Sequence, residues 1–148
     1  MSFQGPAGYA GDLTVEDAYA LLGDDKNAGL VDVRSQPEWA FVGVPDLGGL
    51  DKAPVLQEWQ AYPAMQVASD FVPRLVRVLE SRSADRSTPV LFLCRSGARS
   101  RSAAAALTAA GWTRCYNVED GFEGPLDESR RRGSLSGWKA RGLPWTQS

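Results

Sequence analysis

The chain has 148 residues, 43% of them apolar, and this length and composition suit one domain with a buried core. Its formal net charge of −2 argues against a dedicated nucleic-acid binder, which carries a strong basic excess. No apolar stretch is long enough to span a bilayer and the first residues lack the pattern of a secretory signal, so we predict a cytoplasmic protein without a membrane or nucleic-acid partner.

The predicted elements follow a loose segment over residues 1–11, and a single domain is predicted to fill residues 12–148. Thr14 is a suitable N-cap for the first helix because two acidic residues follow closely. Short apolar runs at 30–33 and 89–93 are typical of buried strands. In chain order we predict a helix over 15–22, a strand over 30–33, a helical turn over 37–41, a short strand around 54–56, a helix over 71–79, a strand over 89–93, a helix over 102–110, a strand over 115–118 and a terminal helix over 134–141.

The alanine-rich helix over residues 102–110 has the clearest end. Gly111 supplies its C-terminal stop, and Trp112 is expected to contact Leu107 across that stop. Strands that alternate with helices at this spacing predict an α/β domain with a mostly parallel sheet.

The chain contains no histidine, and this absence restricts the chemistry available to it. Catalytic triads and dyads that use imidazole are excluded, as are most zinc sites, and we predict neither a metal nor a cofactor. Cys94 and Cys115 are too few for a secreted disulfide framework and are interpreted as free thiols. A nucleophilic cysteine would need its thiolate stabilised by a helix N-terminus or by arginines.

The loop between the strand at 89–93 and the next helix offers both of these features. It begins with Cys94 and contains Arg95, Gly97 and Arg99, with Arg101 close behind. Gly97 allows the backbone to curl so that successive amides converge on one point, where a thiolate or an anionic substrate would be stabilised. An isolated cysteine is more often a small buried apolar residue, but its position at a strand-to-helix junction beside several arginines favours a nucleophile.

The segment from Leu93 to Ser100 closely resembles the active-site loop of rhodanese-homology domains. Two further features agree in order and spacing: the segment 31–34 followed by Glu38 and Trp39, and the segment 116–118 followed by Gly121 and later by Trp138 and Lys139. The resemblance extends from about residue 13 to residue 145. It implies a five-stranded, mainly parallel sheet flanked by helices on both faces. It also implies a sulfurtransferase whose cysteine takes a sulfane sulfur from an anionic donor such as thiosulfate and passes it to cyanide or a thiol.

The resemblance assigns roles to individual loop residues. Cys94 would be the nucleophile and persulfide carrier, and Arg95 and Arg99 would hold the anionic donor. The remaining residues would surround the persulfide with main-chain amides, and they are Ser96, Gly97, Ala98 and Ser100. Asp32, Arg34 and Glu38 match the family's upstream signature, and we assign them to supporting the loop; ordinary surface charges at a strand-end turn are an equally good interpretation.

The sequence departs from the family pattern in two places. A histidine-containing segment after Glu38 is replaced by residues 41–46, and the segment 120–137 is longer than usual. The longer segment could shape the mouth of the site, although its arginines at 130–132 are better interpreted as solvated. These departures leave the donor, the acceptor and any protein partner open.

Three alternatives to an independent sulfurtransferase remain. The first is a cysteine phosphatase or arsenate reductase, but Arg99 comes one position too early after Cys94, and Leu93 stands where such enzymes carry a histidine. The second is a persulfide carrier or regulatory module that acts on a specific protein partner. The third makes Cys115 a resolving thiol for Cys94, although its setting is more typical of a packing residue.

Overall fold

A computed structural model of the protein describes residues 8–61, 66–124, 128–129 and 137–147. None of the helices in these ranges has the length and apolar character needed to cross a bilayer. In chain order the elements are β1 (Gly11–Leu13), α1 (Val15–Asp24), β2 (Gly29–Asp32), α2 (Gln36–Phe41), β3 (Val44–Pro45), a 3-10 turn (Gly48–Leu50), β4 (Val55–Leu56), β5 (Gln60–Ala61), β6 (Gln66–Val67), α3 (Phe71–Ser81), β7 (Val90–Leu93), α4 (Ala98–Ala109), β8 (Cys115–Val118) and β9 (Trp145–Thr146).

Five of these strands form one sheet in the order β1-β8-β7-β2-β4, and every pair in it is parallel. Two small antiparallel pairs, β3 with β9 and β5 with β6, lie outside it. The prediction of a five-stranded, mainly parallel sheet is therefore confirmed. Since β7 occupies the middle position, the residues that follow its carboxyl end lie at the centre of the sheet edge, where α/β proteins place ligand sites.

Successive side chains of β7 point to opposite faces of the sheet, as the period of a strand requires. Val90 and Phe92 pack in one buried cluster with residues of α3 and α4. Leu91 and Leu93 pack in a second cluster with residues of α1 and with Trp138. Helices thus cover both faces, as predicted, and all four residues of β7 are fully buried.

The observed bounds differ from the predicted ones near the loop and at the start of the chain. Helix α4 begins at Ala98, four residues before the predicted start at 102, because Gly97 turns the chain directly into the first helical turn. Strand β1 was not predicted, since Gly11 to Leu13 has no run of β-branched residues and becomes a strand by pairing with β8. Tyr9, in the segment expected to be loose, is only 2% exposed and belongs to the core.

The prediction of a terminal helix over 134–141 is wrong for residues 137–141, the part of it that the structure describes. Residues 137–142 form successive turns, in which the amides of Arg141 and Gly142 donate to the carbonyls of Gly137 and Lys139. Gly137 has a positive φ of 100°, a conformation unsuited to the interior of a helix. Residues 134–136 and the arginines at 130–132, which were assigned to the longer segment, lie outside the described residues.

Candidate active site

Cys94 directly follows β7, and α4 begins four residues later at Ala98. The strand places the cysteine at the carboxyl end of the parallel sheet, and the first turn of α4 directs its free amides towards the same place. Because β7 is the central strand, the loop is flanked by the ends of β2 and β8.

Two glycines allow this loop to pack against the chain that follows β8. Gly97 has a φ of 107°, and a Cβ there would overlap the carbonyl oxygen of Glu119. Gly121 has a φ of 70°, and a Cβ there would lie 2.5 Å from the carbonyl oxygens of both Cys94 and Arg95. Glycine is therefore required at both positions.

The carbonyl groups of the loop are engaged by the same neighbouring segment. The amide of Phe122 donates to the Cys94 carbonyl at 2.8 Å, and the amides of Glu123 and Gly124 donate to the Arg95 carbonyl at 3.0 and 3.1 Å. Three hydrogen bonds thus fix the first two peptide groups of the loop, and the loop backbone is held in place before any substrate arrives.

The sulfur of Cys94 faces polar donors although the residue is only 2% exposed. Sγ accepts a hydrogen bond from the Gly97 amide at 3.1 Å and lies 3.2 Å from the hydroxyl oxygen of Ser100, which can also donate to it. Other parts of the residue pack in the larger apolar cluster. An amide, a hydroxyl and the positive end of α4 are a setting in which a thiolate is stabilised without a histidine.

Arg99 and Glu38 form a two-point ion pair beside this sulfur. Nη1 of Arg99 donates to Oε1 of Glu38 at 2.6 Å, and Nη2 donates to Oε2 at 2.9 Å. Burial alone would raise the pKa of Glu38, but hydrogen bonds from Arg99 and from Ser35 lower it to about 2. The pKa of Arg99 is raised, first by its hydrogen bond to Glu38 and also by the negative charge available at Cys94 and Asp32.

This ion pair changes the role expected of Arg99. Since both terminal nitrogens of its guanidinium bind Glu38, the side chain is held in place and its charge is largely compensated. Arg95 is exposed, like its neighbours Ser96 and Ala98. It forms no ion pair with any described residue. Within the loop itself, the guanidinium open to a small anion is therefore that of Arg95.

Asp32 and Arg34 form a second ion pair, which is fully buried. Nη2 of Arg34 donates to Asp32 at 2.6 Å and to the carbonyl of Gly43 at 2.7 Å, and the guanidinium lies over the ring of Phe122 at 4.3 Å. No hydrogen bond in the described structure joins this pair to residues 94–100. Its link to the loop is indirect, through Phe122, whose amide binds the Cys94 carbonyl. Of the three upstream residues, only Glu38 forms a hydrogen bond with the loop in the described structure, whereas Asp32 acts on Arg99 through its charge.

Three residues without a role predicted from the sequence are Asn117, Asp12 and Tyr9. They lie in a line of hydrogen bonds that leads through Ser100 to the Cys94 sulfur. The Ser100 hydroxyl is 2.5 Å from Oδ1 of Asn117, whose Nδ2 donates to Oδ1 of Asp12 at 3.0 Å. The Tyr9 hydroxyl donates to the same Asp12 oxygen at 2.8 Å. A polar Asn117 within the short predicted strand at 115–118 was the available signal, because a buried amide requires partners.

Cys115 lies at the opposite end of the sheet. It pairs in register with Val90, the first residue of β7, whereas Cys94 follows the last. Burial raises its pKa to about 11. Among the described residues no group of three or more cysteine, histidine, aspartate or glutamate side chains is arranged to hold a metal ion. A resolving role for Cys115 has no support in this geometry.

Comparison with known proteins agrees with the fold. A sequence model of the STR4 middle domain matches residues 10–148. Thiosulfate sulfurtransferase GlpE of Pseudomonas fluorescens is 30% identical over 108 residues, which cover 73% of this chain and 77% of that protein. The family match includes the whole central sheet and the Cys94 loop, since all of these lie between residues 10 and 148.

Two solved structures superpose on most of the chain. The crystal structure of Rv0390 from M. tuberculosis has a TM-score of 0.83 at 48% identity, with 95% of this chain and 99% of that chain covered. The polysulfide-sulfur transferase homodimer from Wolinella succinogenes has a TM-score of 0.59 at 25% identity, with 96% of this chain and 81% of that chain covered. The fold is therefore shared over nearly the full length described.

Proposed function

Since this chain belongs to the STR4 middle-domain family of rhodanese-like domains, we propose that it is a sulfurtransferase in which Cys94 carries a sulfane sulfur as a persulfide. The donor is a small anion such as thiosulfate, and the acceptor is cyanide or a thiol. The observation that carries the proposal is the position of the Cys94 sulfur, which accepts a hydrogen bond from the Gly97 amide at the N-terminus of α4.

The proposed cycle has two displacements at sulfur. In the first, the Cys94 thiolate attacks the outer sulfur of thiosulfate, the S–S bond breaks, and its electron pair leaves on sulfite. In the second, cyanide or a thiolate attacks the outer persulfide sulfur, and the electron pair of that S–S bond returns to Sγ. Charge balances in each step, and neither step moves a proton once the thiolate has formed. A site without histidine is therefore sufficient for this chemistry.

The proposal divides the charged residues between two tasks. Arg95, exposed beside the cysteine, attracts the anionic donor. The Gly97 amide and the free amides of the first turn of α4 stabilise the charge on sulfur. Glu38 keeps Arg99 at a fixed position near Cys94, so that this guanidinium is not free to bind the donor. The same ion pair argues against a phosphatase that would bind the phosphoryl group through Arg99, since that guanidinium is already bound to Glu38.

The test is to incubate the protein with thiosulfate, remove small molecules, and measure the intact mass. We expect one added sulfur atom per chain, located at Cys94 by peptide mapping, with one sulfite released for each sulfur bound. Cyanide should remove the added sulfur as thiocyanate. Cys94→Ser is the negative control and Cys115→Ala the matched cysteine control, which should load normally. A wild-type mass that stays unchanged with thiosulfate and with polysulfide would refute the proposal.

A persulfide carrier for a protein acceptor is the second candidate. It is favoured by Phe41, which is 78% exposed and lies one helical turn beyond Glu38 in α2. An exposed aromatic residue on the helix that supports the loop is a suitable contact for a docking protein. If this candidate is correct, the persulfide forms as above but discharges slowly to cyanide, and Phe41→Ala slows transfer to the acceptor protein only.

A further inference from the structure

Cys94 is the end of a line of buried hydrogen bonds that begins at the protein surface. From the sulfur the line runs to the Ser100 hydroxyl at 3.2 Å, to Oδ1 of Asn117 at 2.5 Å, and from the Asn117 amide nitrogen to Asp12 at 3.0 Å. Cys94, Ser100 and Asn117 are buried, whereas Asp12 is exposed. The three elements involved, α4, β8 and β1, each contribute one link.

The carboxylate of Asp12 fixes which way the Asn117 amide is turned. An ionised carboxylate accepts hydrogen bonds and cannot donate, so the group facing it must be the Asn117 NH₂. The carbonyl oxygen of the same amide consequently faces Ser100. The Tyr9 hydroxyl donates to the same oxygen of Asp12 at 2.8 Å and helps to hold the carboxylate in place.

Ser100 has one hydroxyl proton and two acceptors within reach. It can donate to Oδ1 of Asn117 or to Sγ of Cys94, but not fully to both. When Sγ is a thiol, the hydroxyl donates to Asn117 and its lone pair accepts the S–H proton. When Sγ is a thiolate, a donor bond to the charged sulfur is the stronger interaction, and the hydroxyl turns towards it.

We propose that Asn117 is a positioning residue that acts through Ser100. Its Oδ1 accepts the hydrogen bond of the Ser100 hydroxyl whenever Sγ carries no charge, and the hydroxyl turns from Asn117 to Sγ when the thiolate forms. The inference deepens the proposed function and rests on it, since formation of the persulfide moves the negative charge from Sγ to the outer sulfur. Asn117 then supplies the acceptor that the hydroxyl needs in the persulfide state. Without Asn117 the Ser100 hydroxyl would keep donating its hydrogen bond to Sγ, which favours the thiolate and therefore discharge of the persulfide.

The test compares Ser100→Ala, Asn117→Leu and the double variant by the rate at which iodoacetamide alkylates Cys94, at one pH chosen well below the midpoint of the wild-type alkylation–pH profile. The thiolate is the reacting form, so loss of its hydroxyl donor in Ser100→Ala should lower the rate by about threefold. Asn117→Leu leaves the hydroxyl free to donate to Sγ and should raise the rate by about threefold. This increase is smaller than the increase in the thiolate fraction, because the nucleophilicity of a thiolate falls as the anion is stabilised. The double variant should behave as Ser100→Ala alone.

Two further variants keep the result interpretable. Thr108→Val removes another buried hydroxyl of α4, which donates to the Ala104 carbonyl, and should leave the rate unchanged. Asp12→Ala removes the exposed carboxylate that orients the amide and should act in the same direction as Asn117→Leu. It therefore replaces that variant if Asn117→Leu does not fold.

The decisive comparison is the effect of Asn117→Leu with and without Ser100. An effect that disappears in the Ser100→Ala background supports the proposal, and an effect of equal size in both backgrounds overturns it. Single-turnover discharge of the persulfide by cyanide should also be faster in Asn117→Leu, because the departing Cys94 thiolate is better stabilised. If the wild-type protein takes up no sulfur, the proposed function fails, whereas the alkylation rates still decide whether Asn117 acts through Ser100.

Discussion

Arg99 and Glu38, 61 residues apart in the chain, are joined by two parallel hydrogen bonds that connect α4 to α2. Their side chains are only 18% and 19% exposed, so solvent weakens the pair much less than it would on the surface. Glu38 also accepts hydrogen bonds from the Ser35 amide and hydroxyl at the start of α2. One carboxylate thus caps a short helix and fixes an arginine of the candidate site.

Glu38→Gln should destabilise the fold in a pH-dependent way. The pKa of Glu38 is lowered from 4.5 to about 2, so its stabilising contribution is fully present above the unfolded value and is lost as the pH falls towards 2. We expect a loss of about 2 kcal/mol at neutral pH, measured by urea unfolding. The difference from wild type should shrink below about pH 4.5, the ordinary value of this carboxyl. Glu80→Gln, at an exposed position of α3, is the matched control and should change little.

Arg95→Ala should weaken donor binding more than it weakens the fold. Loss of an exposed guanidinium beside Cys94 removes the attraction for thiosulfate, and we expect KM for thiosulfate to rise by about tenfold with a smaller change in kcat. Steady-state kinetics with thiosulfate and cyanide measure both. Arg114→Ala, at the other end of β8, is the control for net charge. An unchanged KM in Arg95→Ala would assign donor binding to another residue.

Gly97→Ala should be strongly destabilising, because the added Cβ would overlap the Glu119 carbonyl and the residue has a positive φ. We expect a loss of at least about 2 kcal/mol in the free energy of unfolding. Gly49→Ala is the matched control, since its nearest neighbour, the Tyr19 hydroxyl, is 3.7 Å from the new Cβ. Equal unfolding midpoints in urea for the two variants would contradict the packing described for the loop.

Cys115 should resist alkylation in the native protein. It is fully buried, and burial raises its pKa to about 11, so the thiolate is scarce at neutral pH. In Cys94→Ser we expect no labelling by iodoacetamide over the time in which wild-type Cys94 reacts completely. Labelling should appear when the same variant is unfolded in urea. Rapid labelling of the folded variant would show that this end of the sheet opens.

The parts of the fold that could be predicted are those that a short, continuous stretch of sequence indicates by itself. Val90 to Leu93 is a continuous apolar run and is the central strand, and the Cys94 loop follows it as expected. Strand β1 has no such run, because pairing with β8 rather than local propensity makes it a strand. Local composition also could not show that Gly97 starts α4 at Ala98.

The site was less predictable than the fold because its contacts join distant residues. A donor-binding role for Arg99 was implied by the resemblance of the loop to rhodanese-homology domains, and the structure adds a binding partner, Glu38, that no local pattern reveals. Asn117 and Asp12 are 105 residues apart and meet only because β1 and β8 are adjacent in the sheet. Such contacts depend on strand order, which the chain order does not specify.

Every third residue of the loop that Gly97 and Gly121 fix is buried, beginning with Cys94. Cys94, Gly97 and Ser100 face inward, whereas Arg95, Ser96 and Ala98 face solvent. The outer three side chains can therefore be exchanged without disturbing the amides around the sulfur. An engineer who wants a different donor should vary these three positions, since a library restricted to them changes the charge and shape met by an incoming anion and leaves the nucleophile as it is.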